Sequence, residues 1–479
     1  MKLEAIPLYE KLADEIAATI ANGTLKPGEK LPSLRSMRQR RQVSMTTVQE
    51  AFGVLEDRGL IEAKPQSGYF VKGRLPLPPP PSVSEPNAEP LSVITNPLLW
   101  RYLQYAADQS ESSFACALPS VELYPTRVLN TITNQILRRQ PELVSDYGRS
   151  DGLPELRRQI ARRTVDWGQS LAGEDVLITN GCVEAINLCL QVVAQPGDVV
   201  AVESPAYFGI LQQLENRGLR ALEIPTDPVY GMSVDALDFA TRNGEVKAVF
   251  VVSNFSNPLG SLMPEENKRR MVELLAQRHI PLIEDDLYGE FYFCSQRPLP
   301  AKAFDSTGNV LYCNSFTKQA LPGMRVGWVA GGRYHAELQM RKFMLSFCTP
   351  TLMQAVAAEF IAAGGFDRHM RQLRRTLCKY LRETLALVSE VFPAGTRVTE
   401  PQGGFLLWLE LPEGANTVAL FDAAAREGIG FTPGPLFSPR DEFARCMRLS
   451  CGYPLTAERE RALRRLAELA KLQLAGKLR

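Results

Sequence analysis

Asn314 to Trp328 read NSFTKQALPGMRVGW, and the rest of the chain is best understood outward from this run. Lys318 follows the hydroxyl residues Ser315 and Thr317; Pro322 and Gly323 then break the chain, and Arg325 comes seven residues after the lysine. An amine so placed can form a Schiff base with an aldehyde. The hydroxyls can hydrogen-bond a phosphate, and a planar guanidinium can grip the same phosphate. Pyridoxal phosphate asks for all three. A lysine between a strand end and a turn is otherwise a solvated surface residue, so its neighbours must decide.

Around it, DVLITN, DVVAVE, KAVFVVS, PLIEDD and VLYCNSF are short apolar runs bounded by turn residues, with helical patterns between several of them. They predict a buried, mainly parallel sheet, a fold in which ligands gather beyond the carboxyl ends of the strands. The motifs fall there. Thr179, Asn180 and Gly181 end one strand and open a helix whose free N–H groups suit an anion, so Gly181, Cys182 and Val183 are expected at a phosphate. Asn257 in SNFSNPLG can donate to a phenolic oxygen, although NPxG is also an ordinary turn. Asp285 ends an apolar strand, where a carboxylate can pair with a protonated pyridine nitrogen; Asp286 is then structural, and Tyr288 joins Asn257. The acidic pair could instead bind a metal, but no histidine stands near it in sequence. Arg448 in MRLSCG lies past Gly365, in a region that reads as a separate α+β unit. It suits the carboxylate of an amino acid bound as an external aldimine, or else a core salt bridge.

SFTK followed by PGMRVGW resembles the lysine motif of fold-type I aminotransferases, and the likeness extends from about residue 110 to 475. It implies that Tyr207 in ESPAYFG stacks on the cofactor ring, unless it is a core tyrosine, and that Tyr147 in DYGRSDG reaches the neighbouring subunit's cofactor phosphate in a homodimer.

Toward the N-terminus, Leu8, Leu12, Ile16 and Ile20 recur every fourth position, predicting a helix over residues 7–22 that Gly23 ends. Ser33 can cap a second helix running to about Gln42. Ser44 can cap a third that carries Val48, Ala51, Phe52 and Leu55 inward, with Thr46, Thr47 and Glu50 outward. LIEAKPQSGYFV then reads as two strands joined at Pro65 to Gly68. Residues 30–49 hold five basic side chains and no acidic one, the local charge of a polyanion reader or of a solvated helix face. Residues 8–71 closely resemble the winged helix-turn-helix of GntR regulators, through LPS, VSMTTV, GLI and SGYF. By that resemblance Arg35 holds a phosphate or guanine, Ser44, Thr46, Thr47 and Gln49 face the major groove of double-stranded DNA, and Ser67 and Gly68 approach the minor groove. Ser44 is almost as well read as a helix cap.

Between the two parts, residues 75–90 hold seven prolines in sixteen positions, predicting an extended, semi-rigid spacer between independent units. A winged helix joined this way to an aminotransferase body resembles the MocR (GabR-like) regulators. The expected fold class is therefore α/β: a winged helix-turn-helix at residues 1–74, a linker at 75–95, a large domain with a mainly parallel sheet at 96–364, and a small α+β domain at 365–479. The resemblance implies pyridoxal phosphate, an amine or amino-acid effector sensed at Lys318, operator half-sites and a homodimer, often with the DNA domain of one chain crossing to the other's body. A working aminotransferase with an accessory DNA domain is the alternative. Where GABA-responsive members carry an arginine two residues after the stacking tyrosine, this chain has Gly209, which argues against GABA; it does keep the aminotransferase-type Asn257.

The totals agree with this plan. With 479 residues, 45% hydrophobic and 22% charged, several cores can form. No signal peptide or run of roughly 18 apolar residues is present, so a cytoplasmic protein that does not enter the membrane is expected. Nine cysteines without a CxxC pair suit reduced thiols, and three histidines make metal chemistry unexpected.

Overall fold

A computed structural model describes residues 7–478 other than 65–66, 74–76, 95, 108–111, 168–170, 295 and 441. The turn at Pro65 and the start of the proline run at Leu75 therefore lie outside the described residues. The first unit holds helices Leu8–Ala21, Leu34–Arg41 and Met45–Asp57, then strands Ile61–Lys64 and Gly68–Val71, paired antiparallel with Ile61 opposite Val71. Leu12, Ile16, Met37, Val48, Phe52, Leu55, Ile61 and Val71 close its core. Both serine caps form. Ser36 N donates to Ser33 Oγ at 3.2 Å and Thr47 N to Ser44 Oγ at 3.0 Å, each satisfying a donor that the first turn would leave unpaired.

Among the described residues, the body's main sheet has nine strands. Their order runs Leu91–Ser92, Arg220–Asp227, Val199–Ser204, Val246–Val251, Leu282–Asp285, Val310–Ser315, Gly327–Ala330 and Val176–Thr179, with Gly231–Met232 beside Arg220–Asp227. The five from Arg220–Asp227 to Val310–Ser315 are parallel, whereas Gly327–Ala330 runs against both its neighbours. A second, antiparallel sheet orders Arg397–Val398, Leu406–Glu410, Cys446–Ser450 and Thr432–Pro433. Helix Gly365–Val391 joins the two lobes: Phe366, Met370, Leu373 and Leu377 enter the large core, and Leu381, Leu385 and Val388 the small one. The winged unit rests on the same helix. The Arg375 guanidinium stands 4.7 Å from the centroid of the Tyr9 ring, and 4.0 Å separates Arg375 from Glu10. Burial between the two units raises the Asp57 carboxyl above its usual range, against the lowering pull of Arg375 and Lys379.

The proline-rich stretch departs from the expected spacer. Leu77 packs against the small core, Pro81 and Ser84 are buried, and Leu91–Ser92 adds an edge strand to the large sheet. Prolines give up backbone N–H groups and hold an extended shape, which lets the segment lie in a surface groove without stranding donors. The units are thus not independent.

Candidate cofactor site and nucleic-acid interface

Strand ends bring the site together. Lys318 follows strand Val310–Ser315, and its Nζ donates to Tyr288 Oη at 2.5 Å. Burial lowers the proton affinity of this amine, partly offset by Tyr207 and Asp285, so more of it is available as a nucleophile than on a surface lysine. Asp285 ends the adjacent parallel strand, opposite Cys313, and accepts from Cys182 Sγ at 3.3 Å and from Leu287 N at 3.1 Å. Burial raises its carboxyl to about 6, the condition in which a cationic partner would pull it back down. Asp286, just past the strand, bonds instead to Asn254, Tyr312 and Arg297. Its bonds are structural.

At the opposite end, Gly181 caps helix Cys182–Val193 at φ 86°. Ser315 Oγ and Thr317 Oγ1 lie 2.6 Å apart, Arg325 Nη1 donates to Thr317 Oγ1 at 3.3 Å, and Arg325 Nη2 to Asn180 O at 3.4 Å. A Cβ on Gly181 would sit 2.5 Å from Arg325 Nη2, and one on Gly327 would sit 2.5 Å from the Gly181 carbonyl carbon. Two glycines therefore keep open a cradle of hydroxyls, guanidinium and helix N–H groups, which is the donor set a phosphate dianion needs. Val183 is 54% exposed and apolar, so only its backbone N–H can serve the cradle. With an amine, a carboxylate and this cradle in one cleft, the residues fit pyridoxal phosphate. Replacing Gly181 by alanine is expected to weaken loading of the cofactor by about tenfold or more, through the clash and the positive φ, as read by absorbance titration of the apoprotein.

Tyr207 opens helix Phe208–Asn216 half-buried, and burial pushes its phenol up to about 12. A Cβ on Gly209 would meet the Tyr207 ring at 2.5 Å, so the glycine makes room for the ring to lie back across the helix start. Arg448 is 1% exposed and central in the small sheet, opposite Trp408 and Thr432. Its Nη1 donates to Asn257 Oδ1 at 3.1 Å, and its Nη2 to the Ala115 carbonyl at 2.5 Å, Thr432 Oγ1 at 2.8 Å and Tyr102 Oη at 3.3 Å. Nε is buried with no partner, and among the described residues no carboxylate pairs with the group, unlike a core salt bridge. Tyr102, Ala115 and Thr432 went unread in the sequence; only Tyr102 carries a chemical signal, and it is 346 positions away. Tyr147 stands apart, 86% exposed, with its ring edge on Phe347.

Glu203, at the end of the strand that leads toward Tyr207, is pushed by burial to about 8; one oxygen accepts from Val252 N at 3.0 Å and the other has no partner. Its folded pKa exceeds the ordinary carboxyl value, so its stabilisation is complete below about pH 4.5 and is lost as pH rises through 8. Between pH 6 and 8.5 the loss from this group is on the order of 2 kcal/mol. Glu203→Gln should flatten urea-unfolding stability across that window.

On the winged unit, Arg35, Ser44, Thr46, Gln49 and Gly68 are exposed and Thr47 is half-buried. Ser44 Oγ accepts from Thr47 N and lies 2.8 Å from Thr47 Oγ1, so its hydroxyl serves the cap while staying exposed. Docking on helix Gly365–Val391 leaves this surface open. No described helix is long and apolar enough to cross a membrane, and no described cluster of His, Cys, Asp or Glu could hold a metal ion.

Comparison with known proteins matches residues 8–71 to "Bacterial regulatory proteins, gntR family" and residues 122–466 to "Aminotransferase class I and II". The uncharacterized HTH-type transcriptional regulator YjiR of Escherichia coli (strain K12) is 38% identical over 96% of this chain and 98% of its own length. The 2-aminoadipate transaminase of Thermus thermophilus is 31% identical over 76% of this chain and 91% of its own. The crystal structure of LysN, the alpha-aminoadipate aminotransferase of Thermus thermophilus complexed with N-(5'-phosphopyridoxyl)-L-leucine, superposes with a TM-score of 0.73 at 28% identity, covering 79% of this chain and 96% of that one. A DNA-reading unit and a pyridoxal phosphate body thus run through one polypeptide, and the chain belongs to the MocR-type GntR regulators, whose winged helix-turn-helix is fused to a fold-type I aminotransferase domain.

Proposed function

We propose that the protein senses an amine or amino acid at Lys318 and converts its arrival into a change in DNA binding. The observation that carries this reading is the union, in one described chain, of an exposed helix-turn-helix surface with a cleft holding Lys318, Asp285 and the Gly181–Arg325 cradle. Pyridoxal phosphate, when bound, supplies an aldehyde that exchanges amines and a ring that accepts electrons. Ser315, Thr317, Arg325 and the N–H groups from Gly181 to Val183 would hold its phosphate, Asp285 its ring nitrogen, Asn257 and Tyr288 its phenolic oxygen, and Tyr207 its ring face. Lys318 Nζ holds or moves a proton, with Tyr288 Oη as its hydrogen-bonded neighbour. Arg448 receives the incoming carboxylate, and its unpartnered Nε supports that role. Arg35, Thr46, Thr47 and Gln49 meet DNA as the reading residues, with Gly68 at the wing.

The working unit in this reading is a cytoplasmic homodimer on paired operator half-sites, divided near residues 74, 95 and 364. Exposed Tyr147, together with exposed Met340, Phe343, Met344 and Phe347, supports a partner surface from which Tyr147 would reach the other subunit's phosphate. The second reading, a working aminotransferase, is favoured by the same proton-handling pair, Lys318 and Tyr288. Incubation with a panel of amino acids separates them: sustained multiple-turnover formation of keto acid identifies the enzyme, whereas a ligand-shifted absorbance with at most one half-reaction and an altered DNA affinity identifies the sensor.

A further inference from the structure

The proline-rich stretch crosses from one lobe of the body to the other within a few residues. On the small-sheet side, Val398 N donates to Pro79 O at 3.1 Å, Ser82 N to Glu410 Oε2 at 2.8 Å, Ser82 Oγ to Glu410 Oε1 at 3.2 Å, and Arg397 Nη1 to Ser82 Oγ at 3.1 Å. On the large-sheet side, Ser84 Oγ donates to Ser204 O at 2.6 Å and accepts from Thr226 N at 3.0 Å. Only Val83 separates the two anchors. Two residue steps span at most about 7 Å, so an extended segment pinned at both ends has almost no slack to absorb a shift between the lobes.

Each anchor leads to the cofactor cleft. Ser204 lies three residues before Tyr207, and Ala206 N donates to Phe437 O at 2.9 Å, tying the same loop to the other lobe. Glu410 ends the small-sheet strand that pairs with the strand carrying Arg448. A cavity of about 370 Å³, lined by Pro81, Ser84, Trp408 and Glu410 among others, lies beside the segment and gives it room to move. At its other end, four residue steps from Leu77 back to Gly73 reach at most about 14 Å, so the winged unit is held close to this anchor.

Resting on the sensor reading above, we propose that residues 79–84 are a strap that reads the angle between the two lobes and transmits it to the DNA domain. A ligand that takes the place of Lys318 on the cofactor in the large-sheet cleft, with its carboxylate on Arg448 of the small sheet, draws the lobes to a new angle. Ser82 and Ser84 then cannot both keep their partners unless the strap moves, and the strap carries Gly73 with it. Helix Gly365–Val391, which spans both cores and supports the winged unit, is the fulcrum.

The test uses the full-length protein loaded either with pyridoxal phosphate or with N-(5'-phosphopyridoxyl)-L-leucine. Amide hydrogen exchange is followed in peptides covering residues 77–86, and affinity is measured for a DNA fragment selected by the protein from a random pool. Exchange is expected to differ by about fivefold or more between the two states, as local opening at an anchor changes. Ser84→Ala, or a Gly-Ser-Gly-Ser insertion after Gly73, should keep both compounds bound while the ratio of the two DNA affinities collapses to within about twofold of unity. Unchanged exchange in the parent protein, or a parental DNA-affinity ratio that survives in both variants, overturns the strap and leaves the sensor reading standing. Equal DNA affinity in the two states of the parent protein overturns transmission by the strap, whereas the sensor reading falls only if no amine or amino acid of a wider panel changes DNA affinity.

Discussion

Lys318→Ala is expected to abolish the borohydride-reducible link between protein and pyridoxal phosphate and to slow any half-reaction with an amino acid by about a thousandfold or more. The amine can both form a Schiff base with the aldehyde and carry a proton, and its Nζ already shares a hydrogen bond with Tyr288 Oη. The cradle at Gly181 and Arg325 is untouched by the change, so the phosphate should still bind. Reductive labelling followed by mass spectrometry reads the first effect and absorbance the second. DNA affinity in the absence of ligand should stay within about twofold, because among the described residues Lys318 makes no hydrogen bond to the winged unit. A labelled peptide elsewhere in the variant would mean that another amine holds the cofactor.

Arg35→Ala is expected to weaken DNA binding by about tenfold or more, the loss of one phosphate or guanine contact, while the cofactor spectrum stays unchanged. Arg35 sits in the first turn of helix Leu34–Arg41, exposed, with Ser33 Oγ capping the turn beneath it. Its removal costs no core packing. A reduced salt dependence of binding, by about one unit of slope, would show that a phosphate contact has gone; relaxed preference at one base position would show a guanine contact. If Arg35→Ala altered the cofactor spectrum, or Lys318→Ala altered ligand-free DNA binding, the division of labour between the two units would be wrong.

What the sequence made legible follows the range of the interactions. The caps at Ser33 and Ser44 and the strand at Val310–Ser315 depend on residues within a few positions of one another, and a reader of local pattern finds them. Asp285 could be read as well, because it closes the apolar run PLIED, where a strand end meets the cleft. Arg448 was legible as a guanidinium without its surroundings: Tyr102 and Ala115 come from more than 300 residues away, and no periodicity announces them. The strap was misread for a related reason. Proline content fixes the extended shape but says nothing about whether a groove awaits it, and the groove is made by Ser204, Thr226, Val398 and Glu410, which four separate strands supply or adjoin. Ser44 shows a second local success, since its hydroxyl accepts from Thr47 N as a cap while remaining exposed.

Parallel titration of the loaded, full-length protein with a panel of amines and amino acids, following cofactor absorbance and affinity for selected DNA in the same samples, tests the account most directly. At least one ligand should shift the absorbance and change DNA affinity with a common midpoint, by about fivefold or more. Ligands that shift the absorbance yet leave DNA affinity unchanged throughout the panel would contradict it.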